Sequence, residues 1–272
     1  MRRALSAYEQ KNGNFEGSES KMSTEREKDI LRIIYEKRQI TVKELSRILY
    51  TSESSIRRDL EHLENQHLLK RFHGGARVEA NGVSLLKVPY IMRELTFAEE
   101  KERIGRKAAS LLHEQDLVYL DSSSTATYIL PYLDSFRDLI IITNGLETLN
   151  RAMDYGFRVI CTGGTLQRSA RAFYGEEAFH TISNYYANYC FISCAAFDDH
   201  GNVTDVSVEE NEIRRAMMQQ SNHKILLCSS EKQGIRKFHH CCNIRDLEAV
   251  ITPKPLSHIF PTEAHAKTIL AE

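Results

Sequence analysis

Glycine and proline are scarce, 13 and 5 among 272 residues, which excludes collagen-like, linker-like and low-complexity chains. Long apolar runs are also missing. The longest, such as Leu139 to Ile142 and Ile225 to Cys228, are strand-sized, whereas a membrane-spanning helix needs about 20 residues. Near the N-terminus Arg2 and Arg3 are followed by Glu, Gln, Asn, Gly and Ser, where a secretory signal would place apolar residues. A cytoplasmic protein with no membrane partner is expected. The six cysteines (Cys161, Cys190, Cys194, Cys228, Cys241, Cys242) contain no C-x-x-C pair and read as reduced, mostly buried thiols. His239-His240-Cys241-Cys242 has metal-ligand chemistry, but structural zinc usually takes two separated ligand pairs and no second pair is evident. No metal or other cofactor is expected.

Hydrophobic residues make up 42% of the chain and charged residues 27%, a composition that supports one large or two smaller packed domains. The net charge of −1 conceals an asymmetry. Residues 1–80 carry 16 Lys and Arg against 13 Asp and Glu, and the remainder carries 20 against 24. Such a difference is by itself compatible with ordinary solvated helix faces.

Residues 1–23 are expected to be a disordered extension, with Met22 an alternative start. Thr24-Glu25-Arg26-Glu27 has capping-box spacing and opens a first helix with the apolar stripe Ile30, Leu31, Ile33 and Ile34. Thr41-Val42-Lys43-Glu44 repeats the spacing and opens a second, with Val42, Leu45, Ile48 and Leu49 inward. After a turn at Tyr50-Thr51, Ser52 caps a third helix whose Ile56, Leu60 and Leu63 share one face, leaving Ser54, Ser55, Arg57 and Arg58 outward. Leu68 to Phe72 reads as a strand, His73-Gly74-Gly75 as a turn and Ala76 to Val78 as the return strand. This predicts a winged helix-turn-helix over 24–78, with the helix-turn-helix at about 42–61. Such a unit can serve as a protein-interaction module, or place an exposed helix start in the major groove with a basic wing on the adjoining backbone.

Ser52-Glu53-Ser54-Ser55-Ile56-Arg57-Arg58-Asp59-Leu60 and Leu69-Lys70-Arg71-Phe72-His73-Gly74-Gly75-Ala76 decide between them. Over about fifty residues the segment resembles the DeoR family of bacterial transcription regulators. The resemblance implies that double-stranded operator DNA is met by Thr41, Ser52, Ser54, Ser55, Arg57, Arg58, Lys70, Arg71, His73 and Gly74, with Asp59 orienting one arginine. Ser55 stands where the family usually has Thr, which removes a methyl that can meet thymine.

A mixed segment, 79–96, with Gly82 and Pro89, reads as a linker packed against one domain. Beyond it, 97–272 alternates helices with apolar strands that end in polar loops. Helix 99–112 is followed by strand Leu117–Leu120, a helix to Leu133, strand Leu139–Thr143, a helix to Tyr155 and strand Arg158–Cys161. Later come strand Tyr189–Ser193, helix Val208–Gln220, strand Lys224–Cys228 and a final strand Leu247–Thr252 before a Pro-punctuated tail. The expected class is α/β: an N-terminal winged helix-turn-helix domain plus a C-terminal α/β sensor domain with a mostly parallel sheet. In such sheets ligands bind at the carboxyl ends of the strands. There lie Asp121, Ser122, Ser123, Ser124 and Thr125, then Thr143 and Asn144, then Gly163 and Gly164, and later Lys232. These loops offer hydroxyl and amide donors suited to an anion, although Ser and Thr also cap helices everywhere.

The region also resembles the DeoR-type sensor domain, similar in fold to ribose-5-phosphate isomerase, which implies a phosphorylated sugar as effector. The Ser-rich first loop departs from a family that often has glycine there, and Ser229 stands where Asp is common, removing a sugar-hydroxyl acceptor or a partner for Lys232. The leading expectation is a repressor of a carbohydrate-metabolism operon, modulated by a phosphorylated sugar. It would assemble as a homo-oligomer, dimer or tetramer, because paired half-sites need paired heads. The alternatives are a sugar-phosphate isomerase or transferase using Asp121, Asp205 or Glu210 as base, and a regulator with no small-molecule effector. With no acid–base set gathered in one loop, a non-enzyme is expected.

Overall fold

The computed structural model describes residues 26–34, 37–65, 68–77 and 90–272. The extension 1–23, the Thr24 cap, Val78 and residues 79–89 lie outside the described residues. The chain divides into two compact units, Met1–Thr96 and Phe97–Glu272.

In the first unit, helix α1 (26–34) precedes strand β1 (Gln39–Thr41), helix α2 (Val42–Ile48) and helix α3 (Glu53–Asn65). Strands β2 (Lys70–Phe72) and β3 (Gly75–Arg77) follow. Ile30, Leu31, Ile33 and Ile34 are buried with Val42, Leu45, Ile56, Leu60 and Leu63 in one core. Ile48, expected inward, is 37% exposed. At about 100° per residue it stands off the line through Val42, Leu45 and Leu49. The wing has three strands, in the order β1-β3-β2, where two were expected. β1 is only three residues long, and its antiparallel pairing of Ile40 with Ala76 spans a distance that local pattern does not reveal. Gly75 permits this approach, since a Cβ there would lie 2.3 Å from the Ile40 carbonyl oxygen. Within the stretch read as a linker, Tyr90–Leu95 forms helix α4, and its buried Met92 joins this same core.

The second unit opens with helix α5 (Ala98–Ala109), strand β4 (Leu117–Leu120) and the single turn α6 (Ser124–Thr127). The helix expected to run to Leu133 stops there and resumes as a 3-10 turn, Leu130–Tyr132, with Pro131 inside it. The proline lacks the N–H that an α-helix would need. Strand β5 (Ile140–Thr143), helix α7 (Leu146–Asp154) and strand β6 (Arg158–Cys161) follow, then a hairpin of β7 (Thr165–Gln167) and β8 (Ala172–Tyr174). Helix α8 (Glu176–Ser183) leads to strands β9 (Ala187–Ser193), β10 (Ala196–Phe197) and β11 (Asn202–Asp205). Helix α9 (Val208–Gln219), strands β12 (Ser221–Leu227), β13 (His239–Asn243) and β14 (Ala249–Thr252), helix α10 (Thr262–Ala266) and strand β15 (Thr268–Leu270) complete it.

The main sheet has the order β15-β14-β12-β9-β4-β5-β6, and every pair in it is parallel. Its inner strands are buried on both faces at their carboxyl ends, so neighbouring residues feed different cores. Val118, Leu120, Ile141, Phe191 and Ile225 pack beneath Ile104 and Ala108 of α5. Tyr119, Ile142, Cys190, Ile192 and Leu226 pack against Ile213 and Met217 of α9. Two features depart from expectation. Leu247–Thr252 does not supply the last strand, because the tail returns and β15 pairs with β14. A separate antiparallel sheet, β10-β11-β13, contains the His239-His240-Cys241-Cys242 run, with both cysteines buried and both histidines exposed.

Candidate functional site

On the first unit the capping box forms as spaced: the Glu44 N–H donates to Thr41 Oγ1 at 3.2 Å and the Thr41 N–H to the Glu44 carboxylate at 3.0 Å. Ser52 caps α3 by accepting from the Ser55 N–H at 3.2 Å, and its hydroxyl lies 2.9 Å from that of Ser54 and 3.0 Å from that of Ser55. Three hydroxyls therefore cluster at the outer start of α3. Arg57 is exposed and pairs with Glu53 one turn back at 2.8 Å, and Arg58 is exposed beside it. Asp59, expected to orient one of these arginines, is buried and takes Arg26 instead, at 2.8 Å from Nη2. It points into the helix packing because it falls on the same face as Ile56 and Leu63. Burial pushes Arg26 down less than the Asp59 hydrogen bond, the largest influence, raises it, so its pKa lies above the ordinary value. On the wing, Lys70, Arg71, His73 and Gly74 are exposed. Arg71 is braced by Glu64 at 3.2 Å, and Gly74 adopts φ +88°, the left-handed turn that glycine tolerates.

In the second unit, β5 and β6 extend the sheet to one side of β4 while β9, β12, β14 and β15 extend it to the other. The order of connection thus reverses between β4 and β9, the kind of switch point at whose carboxyl ends doubly wound sheets bind their ligands. At that point Lys232 Nζ donates to Ser193 Oγ at 2.9 Å and Thr125 Oγ1 at 3.3 Å. The ammonium of Lys101, a side chain only 2% exposed, donates to Ser124 Oγ at 3.2 Å. Ser122, Ser123, Ser124 and Thr125 are all buried. The second loop meets the first where Gly145 leaves no room, since a Cβ there would stand 3.0 Å from Ser122 Cα. Thr143 accepts the Gly145 N–H at 3.0 Å. Asn144 donates to the Phe173 carbonyl at 3.2 Å, while its Oδ1 is buried with no hydrogen-bond partner among the described residues. Gly163 and Gly164, at the end of β6, adopt φ +70° and +101°, and Gly164 packs against the Tyr174 backbone. Ser229 donates to Glu231 at 2.7 Å.

Asp121, expected to meet an effector, is committed to the scaffold. Its carboxylate accepts from the N–H groups of Ser123 and Ser193, each at 3.0 Å, and from Arg214 Nε at 2.9 Å. Arg214 also reaches Asp205 at 2.7 Å and Glu210 at 3.0 Å. Burial pushes this guanidinium down, but attraction from Asp205, Asp121 and Glu210 outweighs it, so its pKa lies well above the ordinary arginine value. The three carboxylates considered as bases for an isomerase are thus gathered on one cation. Lys101, Ser193 and this role of Arg214 were not apparent in the sequence. Lys101 did carry a signal, for it continues the buried stripe of Ile104, Ala108 and Leu112, where a lysine needs a polar partner.

A helix-turn-helix with an exposed hydroxyl and arginine face, in one chain with a doubly wound domain holding a polar cluster at its switch point, defines a DNA-binding transcription regulator with a sensor domain. The family models agree in detail. The DeoR-like helix-turn-helix domain matches residues 26–81 and the DeoR C terminal sensor domain matches residues 96–254. The chain belongs to the DeoR family. It is 34% identical over 233 residues to the uncharacterized HTH-type transcriptional regulator YulB of Bacillus subtilis (strain 168), covering 85% of this chain and 89% of that one. It is 29% identical over 233 residues to the glycerol-3-phosphate regulon repressor of Escherichia coli (strain K12), covering 85% and 91%. Among solved structures, ribose 5-phosphate isomerase A of Methanocaldococcus jannaschii aligns over 52% of this chain and 56% of its own, with a TM-score of 0.39 and 13% identity. No helix among the described residues is long and apolar enough to cross a membrane.

Proposed function

We propose that this regulator represses a carbohydrate-metabolism operon and releases its operator when a phosphorylated sugar enters the crevice between β4 and β9. The observation that carries the reading is the convergence of the Lys232 and Lys101 ammonium groups on the hydroxyls of Thr125, Ser193 and Ser124. Ammonium and hydroxyl donors together suit a phosphate, and the unpartnered Asn144 Oδ1 is an acceptor for a sugar hydroxyl. Asp121 acts at one remove, fixing the Ser123 and Ser193 backbones through its bond to Arg214. The name of the Escherichia coli relative fits both the negative sign of regulation and a phosphorylated ligand. A non-enzymatic role is supported by the carboxylates of Asp121, Asp205 and Glu210, each of which binds Arg214.

On the DNA side, Ser52, Ser54, Ser55, Arg57 and Arg58 face the major groove, and Lys70, Arg71, His73 and Gly74 of the wing lie along the flanking backbone. Thr41 sits at the start of α2, next to that backbone. Two-fold operators call for two such heads, so the working form is a homodimer or homotetramer. Binding of effector and of operator oppose one another by the same coupling free energy. Calorimetric titration of the full chain with phosphorylated sugars and their unphosphorylated counterparts, paired with operator mobility shifts, tests the proposal. Heat and operator release with phosphorylated sugars alone is the expected result. Binding of none of them would leave a regulator without a small-molecule effector, and conversion of the sugar would establish an enzyme.

A further inference from the structure

Tyr50 lies in the turn between α2 and α3 and is 96% exposed, more than any other large hydrophobic side chain among the described residues. Its φ is +50°, in the left-handed region where a Cβ is crowded and glycine is the comfortable occupant. The turn holds it there. The Thr51 N–H donates to the Ser46 carbonyl at 3.1 Å, Ser46 Oγ to the Thr51 carbonyl at 2.5 Å, and Thr51 Oγ1 to the Leu49 carbonyl at 3.0 Å. These bonds bracket residue 50 on both sides. Its ring therefore contributes nothing to the core while its backbone carries strain: the helix C-cap accounts for the left-handed backbone, but not for a tyrosine where glycine is the comfortable occupant.

The surroundings indicate what the ring meets. Two residues onward begins the hydroxyl cluster of Ser52, Ser54 and Ser55, followed by exposed Arg57 and Arg58, and exposed Arg47 precedes it on α2. A cationic, hydroxylated surface of this kind complements a phosphodiester backbone. Docking α3 in the major groove carries the turn ahead of it to the phosphates at the groove edge. We propose that Tyr50 is a DNA-backbone contact, its phenol donating to a phosphate oxygen while the ring lies along the adjoining sugar. Tyrosine suits the task because its body is apolar and its tip is a donor. The inference rests on DNA binding by the helix-turn-helix unit and is independent of the effector.

The test uses the full chain, a duplex enriched by the wild-type protein from a random-sequence pool, and binding measured by fluorescence anisotropy over a salt series. Tyr50→Phe, which removes only the hydroxyl, should weaken binding roughly tenfold, as expected for a hydrogen bond to a charged acceptor. Tyr50→Gly should weaken it at least as much while raising the thermal midpoint, because glycine relieves the left-handed strain. In both variants the slope of log affinity against log salt should match wild type, since a neutral phenol displaces no counterion, whereas Lys70→Ala, on the wing, should lower that slope by about one. Wild-type affinity in Tyr50→Gly would overturn the proposal. So would wild-type affinity in Tyr50→Phe, and a lowered midpoint in Tyr50→Gly beside it would make the ring a structural element of the turn. A wild-type chain that enriches no duplex would remove the DNA-binding premise itself.

Discussion

Replacing Arg214 with Met preserves most of the side chain's length and strands three carboxylates. The guanidinium is 3% exposed, and Asp121, Asp205 and Glu210 are 2%, 6% and 3% exposed. Removing one partner of a buried ion pair costs roughly 3–5 kcal/mol, chiefly because the remaining charge keeps no compensation. Here Arg214 is shared by three acceptors, so the upper part of that range is expected, a large share of the roughly 5–15 kcal/mol that holds a typical domain folded. The deficit should depend on pH. Carboxylates closed off from water and from their cation take up protons as the variant folds, so the native state binds more protons than the unfolded one. Stability then falls as pH rises, and the gap from wild type should widen between about pH 5 and about pH 8. Combining Arg214→Met with Asp121→Asn, Asp205→Asn and Glu210→Gln should recover most of the loss, because amides need no counter-charge. Urea unfolding of the full chain at both pH values, followed through a probe in the sensor domain, measures this. A deficit below about 1 kcal/mol, the size of an average point substitution, or one that is flat with pH, would show that Arg214 does not hold the three carboxylates as a stabilising cluster.

Arg57→Ala or Arg58→Ala should weaken operator binding by roughly 1–3 kcal/mol where the arginine reads a base, and flatten the salt dependence where it neutralises a phosphate. Folding should be unaffected, and unchanged affinity in both variants in a mobility-shift titration would remove α3 from the interface. A phosphorylated sugar at about 100 times its dissociation constant should stabilise the wild-type sensor domain by ~2.7 kcal/mol, and Lys232→Ala should lose most of that increment. Equal ligand-induced shifts in thermal unfolding would rule out Lys232 as the phosphate cation. Gly75→Ala should destabilise the wing by about 1–3 kcal/mol, since the added carbon would meet a backbone oxygen that cannot retreat without opening the β1–β3 ladder. Amide exchange over β3 reads this directly, and unchanged protection there would contradict it.

The features legible in the sequence are those that neighbouring residues decide among themselves. The capping box at Thr41 and Glu44, the inward Ile56, Leu60 and Leu63, the strand limits Leu117–Leu120 and Arg158–Cys161, and the polar loops at strand ends all follow from groups a few residues apart. Those loops sit where a parallel sheet presents them, which is why Thr125 and Lys232 could both be placed at the strand ends although 107 residues separate them. How the polar groups divide between scaffold and crevice depends on partners far apart in the chain. Asp121 and Arg214 are 93 residues apart, and Glu100 and Ser230, whose hydroxyl donates to it at 2.7 Å, are 130 apart. Nothing local distinguishes Asp121 from a ligand-binding carboxylate, and the apolar stripe that marks Lys101 as inward does not name Ser124 as its partner. Strands β1 and β15, three residues each, were equally silent. Their backbone groups are satisfied by distant partners, β3 and β14, and no period of two or 3.6 can announce a partner that the chain reaches only by folding.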